Sequence, residues 1–355
     1  LDGWTSPRGD SLYNYIITTP DCHEYLYAIA DYSGEHQTGN FIANKISEII
    51  EQIGPHHFAA IIMDNGSNVR IARQAIHYDY SHILNIRCIA HALNLLTADL
   101  VKTTLVRNIL KQANMLVSFF QKSHLAKRLL RNTISSMNIR GGSLETYSET
   151  RWVSIYDTAN SIVRVRPAID KILEEQPHIF TNKEVFEIAF DENDVFYTSC
   201  RRIALIFEPI KRVISLLEGC TASLADCFMG IIQIAIALRR IPPSNNFRSL
   251  AIAAFNLRYE QFDISPYLLT YFLHPNYRNH GLKKGQFRNI CELAVNYYKN
   301  LNHNEKECRE LVTQLIKYKA RVAPWDLEYS PDLTPSTWWG VVEDERMHLQ
   351  ELAET

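Results

Sequence analysis

No apolar run in this chain approaches the roughly 20 residues that a helix needs to cross a bilayer. The best candidate, GIIQIAIAL, is about half that length and runs into Arg239 and Arg240, so it reads as a buried helix and no membrane partner is expected. Cysteine is sparse and odd in number. The seven thiols (22, 88, 200, 220, 227, 291, 308) are scattered, which fits reduced cysteines of the cytosol or nucleus better than a disulfide framework. Internal repeats and low-complexity linkers are also missing. With 46% hydrophobic and 21% charged residues, long disorder is excluded, and 355 residues suffice for a large core and two domains. Net charge is only −2, so no global excess of either sign points to a partner.

Locally, one sign of charge is missing over long stretches. Leu100 to Leu144 contains no acidic residue, yet holds Lys102, Arg107, Lys111, Lys122, Lys127, Arg128, Arg131 and Arg140. A second acid-free stretch, SPYLLTYFLHPNYRNHGLKKGQFRNI, adds Arg278, Lys283, Lys284 and Arg288, partly offset by the acidic segment from Asp170 to Asp194. A solvated helix face would account for a short basic run. An acid-free stretch of this length is the pattern of a surface that tracks phosphates, so contact with DNA or RNA is expected of it.

The first hundred residues alternate strand and helix signals. SLYNYIITT and EYLYAIADYSG flank Pro20–Asp21 and read as a hairpin. QTGNFIANKISEIIEQIG places Phe41, Ile42, Ile46, Ile49, Ile50 and Ile53 on one helical face and stops at Gly54–Pro55. FAAIIMD has the continuous apolar run of a strand buried on both faces. NVRIARQAI follows as a helix, then ILNIRCIA as a strand running into the helix HALNLLTADLV. Three strands followed by alternating units imply a mixed sheet, antiparallel first and parallel after. Beyond Leu100 the pattern is helical throughout, with Leu105, Ile109, Ala113, Leu116 and Phe120 in helical register. RGGS is a plausible turn. The opening LDGWTS reads as the end of a strand, which points to a segment of a longer protein.

Candidate chemistry starts at two aspartates. Asp64 ends an apolar strand before Asn65–Gly66, where α/β sheets place ligands; capping the helix near Val69 is its alternative role. Asp2 holds the matching place in the first strand. Two hard carboxylates on adjacent strands would suit Mg²⁺ or Mn²⁺ and phosphoryl transfer. Cys88 and His91 in CIAH have half of a zinc spacing, but no second pair completes it; Cys88 reads as a small core residue, and His91 stands where it could touch a phosphate. Arg151–Trp152 could pair phosphate and stack on an unpaired base, or be a buried Trp beside a surface Arg.

In order, DGWTS, MDNGSN, CIAHALNLL, TRWVS, YFLHPNYR and WWGVVED…HLQELA resemble the catalytic region of hAT-superfamily transposases, nearest to the fungal and plant group with DUF659-type elements. The resemblance spans essentially the whole chain. It implies an α/β fold, a ribonuclease H-like mixed sheet with a large all-α insertion domain. The sheet would occupy 1–102, the insertion 103–325, and a return segment to the core 326–355. It further implies catalytic and metal-binding roles for Asp2 and Asp64 with Mg²⁺ or Mn²⁺, and His91 near the scissile phosphate. Cys88, Arg151, Trp152, Lys122, Lys127, Arg128 and Arg131 would contact DNA, with Trp152 stacking on a displaced base. The implied reaction is metal-dependent strand cleavage and transfer at transposon ends, in the nucleus, by a protein that oligomerises through a region beyond this chain. The family's third carboxylate is a glutamate in a Ser-Glu-Arg motif expected past Thr355; Glu343, Asp344 and Glu345 come too early to match. A catalytically inactive, domesticated binding module on the same fold is the alternative.

Overall fold

In the computed structural model, residues 1–20, 23–148, 154–219, 222–330, 332–341 and 348–354 are described. The chain begins with β1 (Asp2–Thr5), β2 (Ser11–Thr18) and β3 (Glu24–Asp31), then α1 (Gly39–Ile53), β4 (Ala60–Met63), α2 (Ser67–Asp79) and β5 (Leu84–Arg87). No strand follows β5 among the described residues. The helices that follow are α3 (Ile89–Val101), α4 (Thr104–Lys122), α5 (His124–Ser136), α6 (Ser154–Glu175), α7 (Lys183–Phe190) and α8 (Val195–Leu217). Then come α9 (Leu224–Arg240), α10 (Arg248–Tyr259), α11 (Ser265–Leu273), α12 (Gln286–Asn300), α13 (Glu305–Ala320), α14 (Pro335–Gly340) and α15 (His348–Glu354). This is a mixed α/β N-terminal region with small sheets, followed by a large helical region. Among the described residues, no helix is long and apolar enough to cross a membrane.

Two compact units form. One gathers Leu1–His91, Gly219–Gly230 and Phe262–Thr355; the other gathers Ala92–Glu218 and Ile231–Gln261.

In the first unit β1, β2 and β3 form an antiparallel sheet in that order, while β4 and β5 pair in parallel. The Leu1 nitrogen donates to the Ile62 carbonyl at 3.4 Å, bringing the start of β1 alongside β4. One sheet face carries Tyr13 and Tyr15, and this face packs with Ile42, Ala43, Ile46 and Ile50 of α1 and with Val69, Ala72 and Ile76 of α2. Burying each of these isoleucine or valine side chains contributes about 1.5–3 kcal/mol. Gly39 permits the close approach of α1 to α2, since a Cβ there would stand 2.5 Å from the Ile71 side chain. The expectation of a strand buried on both faces is corrected at β4: Ile62 is 51% exposed while Met63 is buried. The two-stranded ladder is covered by α2 on one face, so an apolar run here marks half-burial. The final strand is also shorter than ILNIRCIA suggests. It ends at Arg87, Cys88 donates its N–H to the Met63 carbonyl at 2.7 Å, and the helix starts at Ile89.

The same unit contains an aromatic core around α11–α14. Trp325, Trp338, Trp339 and Tyr318 are fully buried, and Trp338 and Trp339 pack edge to face at 5.1 Å. The second unit has its own continuous core along α4, α5, α6 and α8. In α4 the buried stripe is Val106, Leu110, Ala113, Leu116, Val117 and Phe120, whereas Leu105 is exposed. The expected register therefore slips by one residue at its start, because spacings of four and three from Val106 track the helical period better than those from Leu105. Arg258 on α10 grips Asp99 on α3 with two hydrogen bonds of 2.6 and 2.9 Å, tying the ends of this helical array together.

Candidate active site and candidate nucleic-acid surface

Asp64 follows the last residue of β4 and is half-buried. Its Oδ1 accepts the Gly66 N–H at 2.8 Å, closing an Asx turn that feeds α2. The helix itself starts at Ser67 with Gly66 as its N-cap and no side-chain cap bond, so the local role of Asp64 is the turn, not the cap. Its Oδ2 makes no hydrogen bond among the described residues. A cleft of about 110 Å³ opens beside it, lined by Leu1, Gly3, Tyr13, Met63, Asn68 and their neighbours. Gly3 is required at this wall: a Cβ there would fall 2.7 Å from the Tyr13 ring. Asn68 donates to the Gln37 carbonyl at 3.1 Å, and Gln37 accepts from the Tyr13 hydroxyl at 3.1 Å, which fixes the polar rim.

Asp2 heads β1 and is exposed, its N–H donating to the Asn14 side chain at 3.0 Å. Because Gly3 shares a face with Tyr13, strand alternation turns Asp2 and Trp4 to the opposite face, so Asp2 does not line the cleft. It is nevertheless close by. The nitrogen of Leu1, the residue before it, donates to the Ile62 carbonyl of β4, the strand that ends just before Asp64. Cys88 is a free thiol, half-buried and not the core residue that its size suggested. His91 lies in the first turn of α3, half-buried and without a hydrogen bond among the described residues. No cluster of three or more His, Cys, Asp or Glu side chains suited to a metal occurs among the described residues.

The residue that sequence reasoning missed is Arg73. It is 4% exposed and donates to Asn85 on β5 at 2.5 Å and to Asn65 in the Asp64 turn at 3.3 Å. It forms no ion pair among the described residues. Burial lowers its pKa, the nearby Arg87 adds to that, and Asp64 works against it. A buried guanidinium thus braces the turn that presents Asp64 and supplies it with a fixed positive neighbour. The signal was present in the sequence: Val69, Ala72, Arg73 and Ile76 share one apolar stripe, and a charge on such a stripe is rarely incidental.

In the second unit, Lys122 ends α4, and Lys127, Arg128 and Arg131 lie on α5; all four are exposed. Ala126, Leu130 and Ile134 form the buried face of α5, which leaves the cations on the outer one. None of the four is ion-paired among the described residues, whereas other cations of this unit are: Arg166 and Arg201 with Asp194, Lys211 with Asp157, Arg258 with Asp99. Arg151 and Trp152 lie outside the described residues. Of the second acid-free stretch, Arg278 drops out. It is fully buried, donates to the Trp325 carbonyl at 2.9 Å and stacks on Tyr318 at 4.2 Å, so its charge serves the aromatic core.

Residues 1–116 match the family described as a domain of unknown function, DUF659. No curated protein matches the chain.

Proposed function

We propose that this chain is part of the catalytic region of an hAT-like DNA transposase, which in its full form cuts and joins DNA with Mg²⁺ or Mn²⁺ in the nucleus. One observation carries the reading: at the carboxyl end of β4, Asp64 opens on a cleft with one carboxylate oxygen uncommitted, and β1, which carries Asp2, starts beside β4 through the Leu1–Ile62 hydrogen bond. The DUF659 match over this same region supports it, as does a β1–β3 antiparallel sheet followed by parallel β4–β5, the order of a ribonuclease H-like fold interrupted by helices.

The donor chemistry fits a hard cation. Both groups are carboxylates, Asp2 keeps both oxygens free of hydrogen bonds among the described residues, and Mg²⁺ is commonly held by one or two carboxylates, with waters and phosphate oxygens completing its shell. Asp64 would hold the ion from the cleft and Asp2 would join it on the resemblance alone, from the other face of β1; when bound, the ion would polarise the phosphoryl group and activate the attacking oxygen. The protein's own share is positional. The Gly66 N–H and Arg73 fix the Asp64 turn, His91 stands at the head of α3 to meet a phosphate, and Lys122, Lys127, Arg128 and Arg131 hold the DNA backbone. Arg151 and Trp152 are assigned to flanking DNA on the resemblance alone.

The test is Mn²⁺ binding followed by electron paramagnetic resonance. Asp64→Asn and Asp2→Asn should each weaken binding at least tenfold; unchanged affinity in both would overturn the site. The second reading, a domesticated DNA-binding module without cleavage, draws on the lack of a third clustered carboxylate among the described residues. Duplex binding without detectable Mn²⁺ binding would favour it.

A further inference from the structure

The β2–β3 hairpin has a feature that neither DNA nor a metal explains. β3 is the edge of its sheet, paired with β2 on one side and with no strand on the other among the described residues. It is eight residues long and displays Tyr25, Leu26, Tyr27 and Ile29 at 57, 60, 41 and 58% exposure. Natural edges are blunted by brevity, proline, bulges or charges placed within the strand. Here a bulge exists between Tyr15 and Ile16 of the pair, but the charged residues of β3 stand only at its two ends, Glu24 and Asp31. Leu26 lies opposite the exposed Ile16, and Ile29 follows on the same face opposite Asn14, so exposed apolar side chains stand beside the open edge.

Charge selects the occupant. From Gly9 to Asn44 the chain carries Asp10, Asp21, Glu24, Asp31 and Glu35 and no lysine or arginine. That frame repels nucleic acid. It also disfavours a second copy of the same strand, since antiparallel self-pairing in full register would set Glu24 against the other copy's Asp31 at both ends. An extended peptide with an apolar centre and basic flanks meets every requirement: its backbone satisfies the open N–H and C=O groups, and its cations meet Glu24 and Asp31. We propose that β3 is a strand-addition site for a partner protein's segment of this kind, apolar in the middle and lysine- or arginine-rich at its ends.

Synthetic probes test this directly. A fluorescent ten-residue peptide of alternating valine and threonine, with two lysines at each end, should bind at low salt and raise the hydrogen-exchange protection of β3 amides. Its glutamate-flanked counterpart should bind at least tenfold more weakly, and N-methylation along one backbone edge should abolish binding. Glu24→Gln with Asp31→Asn should weaken the lysine-flanked peptide about fivefold, and Asn at 31 can still accept the Ser33 N–H that shapes the adjoining turn. The proposal is overturned by lack of peptide binding, by equal binding of the N-methylated or glutamate-flanked peptide, by protection appearing elsewhere, or by β3 pairing with a second copy in sedimentation.

Discussion

Neutralising Lys127, Arg128 and Arg131 to glutamine tests whether the outer face of α5 tracks phosphates. Their spacing of one and four residues confines them to roughly a 100° arc of the helix, and all three are exposed without ion pairs among the described residues. Each phosphate contact on duplex DNA contributes about 0.9 to the slope of log affinity against log salt, so removing three should flatten the slope by about 2.7. Between 50 and 200 mM salt the wild-type chain should then lose about 40-fold more affinity than the triple variant. Fluorescence anisotropy with a labelled duplex of arbitrary sequence, titrated at four salt concentrations, measures this. The buried side of the helix, Ala126, Leu130 and Ile134, is untouched, so stability should change by no more than about 0.5 kcal/mol. Parallel slopes for the two proteins, at equal melting temperature, would refute the assignment and leave α5 an ordinary solvated helix.

Two further outcomes follow from the fold. Arg278→Ala should destabilise the first unit by about 2–3 kcal/mol, because it removes a charged hydrogen bond and ring stacking from a buried site; a change below about 0.5 kcal/mol in urea unfolding would contradict the packing described. Glu307 is held below its ordinary pKa of 4.5, chiefly by the Asn304 N–H and then by His303. A depressed carboxylate stabilises the fold above its unfolded pKa, and that contribution is lost as pH falls through the folded value. Protection of the Asn304 amide should therefore drop below pH 4.5 once intrinsic exchange rates are divided out; protection unchanged down to pH 3 would rule out the linkage.

The elements of the first ninety residues were legible because each is punctuated. Pro20–Asp21 separates two Tyr/Ile-rich strands and Gly54–Pro55 stops α1. Asn65–Gly66 likewise sets off β4 from α2. Burial was less legible. FAAIIMD looks the same whether one or both faces are covered, and the structure exposes Ile62. The basic residues illustrate a sharper limit. Arg278 and Arg131 both sit in acid-free stretches, yet one is buried under aromatic rings and the other is exposed. What separates them is the neighbourhood in space, since Tyr318, Trp325 and Trp338 lie 40 residues or more beyond Arg278 in the chain. At the candidate site, motif spacing singled out Asp64 but passed over Arg73, whose meaning depends on Asn85 of a later strand.

The near-neutral total charge conceals a division of labour. Among their charged residues, 9–44 contain only acids and 100–144 only bases; Glu24 and Asp31 stand exposed at the ends of β3, and Lys122, Lys127, Arg128 and Arg131 stand exposed on α4 and α5. A chain evolving merely for solubility has no reason to segregate its charges over stretches this long, because mixed signs serve as well and avoid large one-sign fields. The two proposals therefore make linked demands. Added salt should weaken duplex binding through α5 and also weaken the lysine-flanked peptide at β3, but Glu24→Gln with Asp31→Asn should affect the peptide alone, and the α5 triple variant the duplex alone. If either variant disturbed both ligands equally, the charges would be acting as a single diffuse field, and neither surface could be called a site.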